Sequence, residues 1–304
     1  MVELIPYPET LDLRRLTKEV HRYRPETGKV AFTGTVKVHG TNITVVFRNN
    51  GSPPQIQSRS RVITSDSPAT DNSGAAAFLT PWLGKLRREV ERTLGKQYAA
   101  WKEIMIAGEF AGRGIQKGVG VSGLERFYVI FGLRLDGVWM PPSVWREIGV
   151  EEGRIFNIFD YQTFKVTIDF TPRRRIVGQG TVQEGIVDQE DACIEKMGKL
   201  ALLQRDGDGE AKEGDTDEWS EFKMVEDVER MTQAVEDECP VALKMGSVRR
   251  GVGEGIVWVE ESLAPLENPL RFKSKGPKHM VVGKRYRRSR GPVIMPKRRV
   301  LSAL

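Results

Sequence analysis

Lys37 stands in the run Thr35-Val36-Lys37-Val38-His39-Gly40-Thr41-Asn42, and three later stretches give it chemical partners. They are Ala107-Gly108-Glu109-Phe110, Glu254-Gly255-Ile256-Val257 and Arg271-Phe272-Lys273-Ser274-Lys275. A lysine amine becomes a nucleophile when burial, neighbouring cations or a metal favour its neutral form. Gly40, close behind it, has no Cβ and lets the backbone approach a phosphate. Glu109 and Glu254 lie near glycines, where a carboxylate reaches a ribose hydroxyl or a divalent metal without crowding. Lys273 and Lys275 share one face of a strand and repel each other unless an anion, naturally a phosphate, lies between them. Phe131 offers a flat face to a purine. Taken singly, each has a plainer reading: Lys37 as a surface lysine at a hairpin, the glutamates as edge-strand residues, Phe131 as core. Together, a nucleophilic amine, two carboxylates and a lysine pair are the parts that move a nucleotide onto an amine.

Such a set needs strands to hold it. Residues 30–48 alternate around the Lys37 turn and predict two strands flanking a bend. Residues 56–63 predict another strand, 65–74 a loop, and 127–133 a short apolar strand. Trp82, Leu83, Leu86, Val90 and Leu94 recur at helical spacing, with a strand beginning near Ile104. Further on, 164–170 reads as extended, and 191–204 as a helix with Cys193, Met197, Leu200 and Leu203 on one side. The stretch 205–219 is acidic, glycine-rich and nearly free of apolar residues, an exposed loop whose spacing does not fit a calcium loop. A helix over 220–238 should end at Cys239-Pro240, followed by strands at 255–260 and 270–272. The sum is an α+β chain of many short strands.

At 304 residues the chain is long enough to bury a full core. No apolar run is long enough for a membrane span, and Met1 to Thr10 lacks the order of a secretion signal, so a cytoplasmic protein is expected. Cys193 and Cys239 show neither metal-ligand nor redox spacing, which fits thiols in a reducing compartment. Net charge is +6, yet 12 of the 47 basic residues and none of the 41 acidic ones fall from Arg271 onward. Runs such as Lys284-Arg285-Tyr286-Arg287-Arg288 and Lys297-Arg298-Arg299 make this tail a candidate for polyanion contact.

The same residues carry a resemblance. The chain resembles the covalent nucleotidyltransferases, and among them the ATP-dependent RNA ligases of the T4 RNA ligase 2 type, whose nucleotidyl motif reads Lys-x-His-Gly-Thr-Asn. Here Lys37, Val38, His39, Gly40, Thr41 and Asn42 match it. The resemblance implies that Lys37 takes AMP from ATP, with Val38 and Asn42 against the nucleotide and His39 in the catalytic set. Within Gln57-Ser58-Arg59-Ser60-Arg61, Arg59 matches the nucleotide-contacting arginine, with Arg61 the other candidate. Glu109 matches the ribose or metal glutamate, Phe131 in Phe127-Tyr128-Val129-Ile130-Phe131-Gly132 the adenine-stacking residue, and Glu254 the later metal glutamate. Lys273 and Lys275 match the phosphate-contacting pair.

For the chain as a whole, the resemblance implies an adenylation domain over 1–275, of antiparallel sheets flanked by helices, and a basic tail over 276–304. ATP with magnesium or manganese, held by Glu109 and Glu254, is implied with it. So is the joining of RNA 5′-phosphate and 3′-hydroxyl ends, nicked or single-stranded, with DNA-containing strands left open. Two departures stand out. Gly132 follows Phe131 where the family usually has Asp. The 276–304 segment is too short for the helical domain that the T4-type enzyme carries, so the tail or a partner protein is expected to do its work. DNA ligases and capping enzymes are rivals of the same class; the former generally have Asp in place of His39, and both normally append an OB-fold domain. A rival of another class is a non-catalytic RNA-binding protein whose basic tail does the work.

Overall fold

The computed structural model describes residues 4–5, 7–24, 26–67, 69–96, 100–171, 216–247 and 251–279. Met1–Thr171 with Glu221–Leu304 forms one unit, and Pro172–Ser220 a second, of which only the start of one helix is described. The expected helix at 191–204, most of the acidic stretch and the basic tail beyond residue 279 lie outside the described residues.

The described strands, in chain order, are β1 (Leu11–Asp12), β2 (Lys29–Val36), β3 (Thr41–Arg48), β4 (Gln55–Ser58), β5 (Val62–Ile63), β6 (Glu103–Ala111), β7 (Phe127–Leu135), β8 (Val138–Trp139), β9 (Ile155–Asn157), β10 (Thr163–Asp169), β11 (Gly255–Glu260) and β12 (Arg271–Lys275). The α-helices are α1 (Leu13–Tyr23), α2 (Ala75–Leu79), α3 (Leu83–Leu94), α4 (Pro142–Trp145), α5 (Thr216–Asp237) and α6 (Pro240–Lys244). A five-stranded sheet has the order β1-β12-β11-β2-β10; a seven-stranded sheet has the order β5-β4-β3-β6-β7-β8, with β9 beside β7. Pairing is antiparallel except between β1 and β12 and between β7 and β9. The α+β architecture of sheets flanked by helices is therefore the one the sequence implies.

Period-2 alternation gives each sheet two distinct faces. In the five-stranded sheet, Phe32, Ile256, Trp258 and Phe272 are fully buried, and Trp258 stacks on Phe272 at 5.7 Å. Gly34 lies under this cluster, where a Cβ would meet the Trp258 ring at 2.7 Å. Thr35, Val257, Lys273 and their register partners occupy the opposite face. In the seven-stranded sheet, Ile43, Val45, Phe47, Ile104, Ile106 and Phe110 are buried on one face. Phe78 of α2 meets Phe110 there at 5.1 Å, and α3 adds Leu86, Val90 and Leu94 to the core from one side of its helix. Asn42, Thr44, Ala107 and Glu109 alternate onto the other face.

β2 and β3 flank the Lys37 bend as expected; they do not pair with each other, and the bend carries the chain from one sheet into the other. Two local expectations need correction. Residues 56–63 are not one strand. Ser58 donates its N–H to the Arg61 carbonyl at 2.8 Å, and its hydroxyl oxygen accepts from the Arg61 N–H at 3.3 Å, so the serine closes a turn between β4 and β5. Finally, α5 begins at Thr216, so positions 216–219 are helical and not loop.

Candidate active site

Lys37 is the first residue after β2, and its backbone N–H extends the β2–β11 ladder to the Gly255 carbonyl at 2.8 Å. Its amine donates to Glu254 Oε2 at 2.5 Å. His39 Nδ1 stands 2.9 Å from the same oxygen, and the Lys275 amine lies 2.6 Å from Oε1. Regular alternation would point Glu254 away from Lys275. Gly255, at φ 143°, turns the chain so that the carboxylate meets all three donors. A Cβ at Gly255 would lie 2.1 Å from the Ser274 carbonyl oxygen, so only glycine fits. The Glu254 side chain is 4% exposed, and burial alone would raise its pKa; the His39 hydrogen bond and the charges of Lys37 and Lys275 outweigh that and hold the carboxyl well below its usual value.

Glu109 approaches from the other sheet. Its Oε1 accepts from the Gly40 N–H at 3.0 Å, which ties β6 to the bend after Lys37. Burial first, then the nearby Glu254 charge, raise this carboxyl against the opposing pull of Lys37, to about 7. Asn42 faces Glu109 in register across β3 and β6, and its Oδ1 is shielded from solvent without a hydrogen-bond partner. A carboxyl lifted by burial and an orphaned amide oxygen suit a cation or a ribose hydroxyl. Among the described residues no group of three or more His, Cys, Asp or Glu is arranged to hold a metal by itself.

Lys273 and Lys275 do share a face of β12, but they part company at their tips. Lys275 takes Glu254, whereas Lys273 donates to the Thr10 carbonyl at 2.8 Å. Burial, reinforced by the charges of Lys275 and Lys37, lowers the Lys273 pKa. The third residue on that face, Arg271, lies 4.7 Å from the Trp139 ring and 5.3 Å from the Tyr7 ring. Tyr7 in turn meets Phe131 edge-on at 5.2 Å. Phe131 is half-buried at a bulge in the β6–β7 pairing. Gly132 has a structural reason: a Cβ there would meet the Trp139 ring at 2.9 Å.

Not every expected residue gathers at this cluster. The Val38 side chain is buried in the core. Arg59 and Arg61 are exposed at the tip of the β4–β5 turn. Conversely, several residues that sequence reasoning passed over belong to the surroundings. Gln116 Nε2 donates to the Gly40 carbonyl at 3.1 Å, and Asn72 Nδ2 to the Thr41 hydroxyl at 3.0 Å, bracing the bend from two loops. His279 stacks obliquely near His39, with ring centres 5.6 Å apart. Burial, with the His39 charge, lowers the His279 pKa against the pull of Glu254. Its turn is held by Glu236 of α5, whose Oε1 accepts from the Lys278 N–H at 2.7 Å. The chain has three histidines, so His279 four residues past Lys275 was a usable signal.

Comparison with known proteins places this chain in a family. A family model described as RNA ligase matches residues 30–274. No curated protein sequence matches. Among solved structures, a point mutant of Naegleria gruberi RNA ligase with ATP and Mn aligns at 10% identity and a TM-score of 0.48, over 92% of this chain and 58% of that one. Naegleria gruberi RNA ligase with PPi aligns at 12% identity and a TM-score of 0.45, over 90% of this chain and 57% of that one. The chain thus spans less than two thirds of the length of these structures. The family match runs from β2 to the penultimate residue of β12 and takes in Lys37, Glu109, Glu254 and Lys273; this chain belongs to the RNA ligase family.

Proposed function

We propose that this protein is an ATP-dependent RNA ligase that seals a 5′-phosphate to a 3′-hydroxyl through lysyl-AMP and RNA-adenylate. The observation that carries the reading is the convergence of Lys37, Glu254 and Lys275 within 2.6 Å contacts, in a chain whose residues 30–274 match the family. In the first step the Lys37 amine, freed of a proton and of Glu254, attacks the α-phosphorus of ATP; an N–P bond forms and the bond to pyrophosphate breaks. In the second, an oxygen of the RNA 5′-phosphate attacks the same phosphorus and the lysine leaves. In the third, the 3′-hydroxyl attacks the activated phosphate, a phosphodiester forms and AMP departs.

The residues divide this work by their surroundings. Glu254, kept ionised by three donors, is a weak base; it orients Lys37 and balances the cationic cluster. Lys275 and Lys273 offer positive charge to phosphate oxygens as charge develops. Phe131, His39 and Arg59 are proposed for the base, the phosphates and the strand-joining step. A magnesium or manganese ion would neutralise charge on the phosphates. Glu109 and Asn42 fit it better than the fully engaged Glu254, because such ions are bound by one or two carboxylates together with substrate phosphates.

The test is incubation of the full chain with ATP labelled on the α-phosphate, wild type beside Lys37→Ala, then denaturing electrophoresis. Label held by the wild type and lost in the variant supports the reading. Absence of label from wild-type protein freed of bound AMP overturns it.

A further inference from the structure

The cluster around Glu254 accounts for the nucleotide but leaves the RNA strand without a seat. A second constellation lies at the same end of the seven-stranded sheet, where the connection between β6 and β7 meets the turn before β9. There Arg113, Gly114, Glu125, Arg126 and Arg154 line an open depression of about 490 Å³. Its floor is built rather than loose. Gly112 turns at φ 113°, where a Cβ would lie 2.6 Å from the Glu125 carbonyl, and the Arg113 N–H donates to the Leu124 carbonyl at 2.8 Å. Arg154 Nε donates to the Arg126 carbonyl at 2.9 Å, and Arg126 Nε to the Arg113 carbonyl at 3.3 Å. Arg154 adopts φ 52°, a left-handed conformation that costs a non-glycine residue energy and aims its side chain across the depression's rim.

Charge in this depression is one-sided. Glu125 is its one acid, and it pairs with Arg154 at 2.9 Å while remaining 76% exposed. Arg113 and Arg126 are exposed and have no ion-pair partner among the described residues. Guanidinium groups gathered this way repel one another until an anion joins them, and their planar fork matches phosphate oxygens. The depression also adjoins the bend. The loop that begins at Gly112 sends Gln116 to the Gly40 carbonyl, and the Arg126 guanidinium lies beside Gly74, in the loop whose Asn72 braces Thr41.

We propose that Arg113, Arg126 and Arg154 form a docking groove for the phosphodiester backbone of the RNA strand, next to the Lys37 bend. The inference rests on RNA being the substrate. An open groove lined by arginines suits a polymer that passes through it better than an enclosed small molecule. Contacts to phosphates position a strand without reading its sequence, as end joining requires.

The test measures binding of a fluorescent single-stranded RNA oligonucleotide by anisotropy across a series of salt concentrations, with lysyl-AMP formation and melting temperature recorded for each protein. Arg113→Ala/Arg126→Ala is expected to weaken binding about tenfold and to flatten the slope of log affinity against log salt by about 1.4, two phosphate contacts' worth. Glu125→Ala is expected to tighten binding by about threefold, because it removes the acid from the groove. Lysyl-AMP formation should be unchanged in both. Unchanged affinity and slope in the double variant overturn the groove, as does a double variant whose melting temperature and lysyl-AMP formation fall together with binding. Wild-type protein that binds RNA with this signature yet forms no lysyl-AMP would sink the ligase reading and leave the groove standing.

Discussion

The Lys37 amine and the Glu254 carboxylate, 217 residues apart in the chain, meet at 2.5 Å. Glu254 also takes His39 and Lys275, so one carboxylate balances three donors, two from the bend and one from β12. Glu254→Gln keeps the shape and removes the charge. Lysyl-AMP formation should fall by about two orders of magnitude, the usual loss when one charge-stabilising group is removed. The variant should also change acid stability. A carboxyl held below its unfolded value contributes stability that is present above about 4.5 and lost as pH falls through the lowered folded value. The gap between wild type and Glu254→Gln in melting temperature should therefore close as the solution is acidified.

Glu109 should behave in the opposite sense. Its carboxyl is raised from 4.5 to about 7, so between those values the folded state holds a proton that the unfolded state has released. Stability then falls as pH rises from about 4.5 to about 7, and stays at the lower level above that. Glu109→Gln should remove this decline and melt higher than wild type at pH 8. Parallel melting curves for the two proteins across that window would refute the assignment.

Gly40 should tolerate no side chain. A Cβ would lie 2.3 Å from the Phe110 carbonyl oxygen, a backbone atom that can move only by shifting β6. Gly40→Ala is expected to cost about 1–3 kcal/mol in chemical denaturation and to abolish lysyl-AMP formation, because the same shift displaces Glu109 and Lys37.

The departure at Gly132 makes a sharper test of packing. Restoring the family's usual residue, Gly132→Asp, places a Cβ 2.9 Å from the Trp139 ring and brings a charge against it. The single variant should melt several degrees lower. Combining it with Trp139→Ala should cost less than the sum of the two changes, since residues in contact couple.

Much of this protein is legible in its local chemistry. The alternation of β2, β11 and β12 predicts which side chains share a face, because the period of a strand is two. Leu86, Val90 and Leu94 predict α3 because only one side of it meets the core. The run from Lys37 to Asn42 marks its own bend, since Gly40 lets the backbone pass close to its neighbour. Lys37, Glu109, Glu254 and Lys275 come together as their types suggest. Arg59 does not join them and stays exposed at a turn.

Residue types and spacing by themselves determined the list of reactive groups and the strands and helices that carry them, because those depend on charge, ring, glycine and period. Tertiary structure alone decided that the Lys37 bend crosses between two sheets, that Gly255 swings Glu254 toward three donors, and that Trp139 requires Gly132. It also brought Gln116 to Gly40 and His279 to His39. Each of these is a contact between segments far apart in the chain. Its cost or gain depends on which atoms the packed sheets bring within a few ångströms, and no local pattern encodes that.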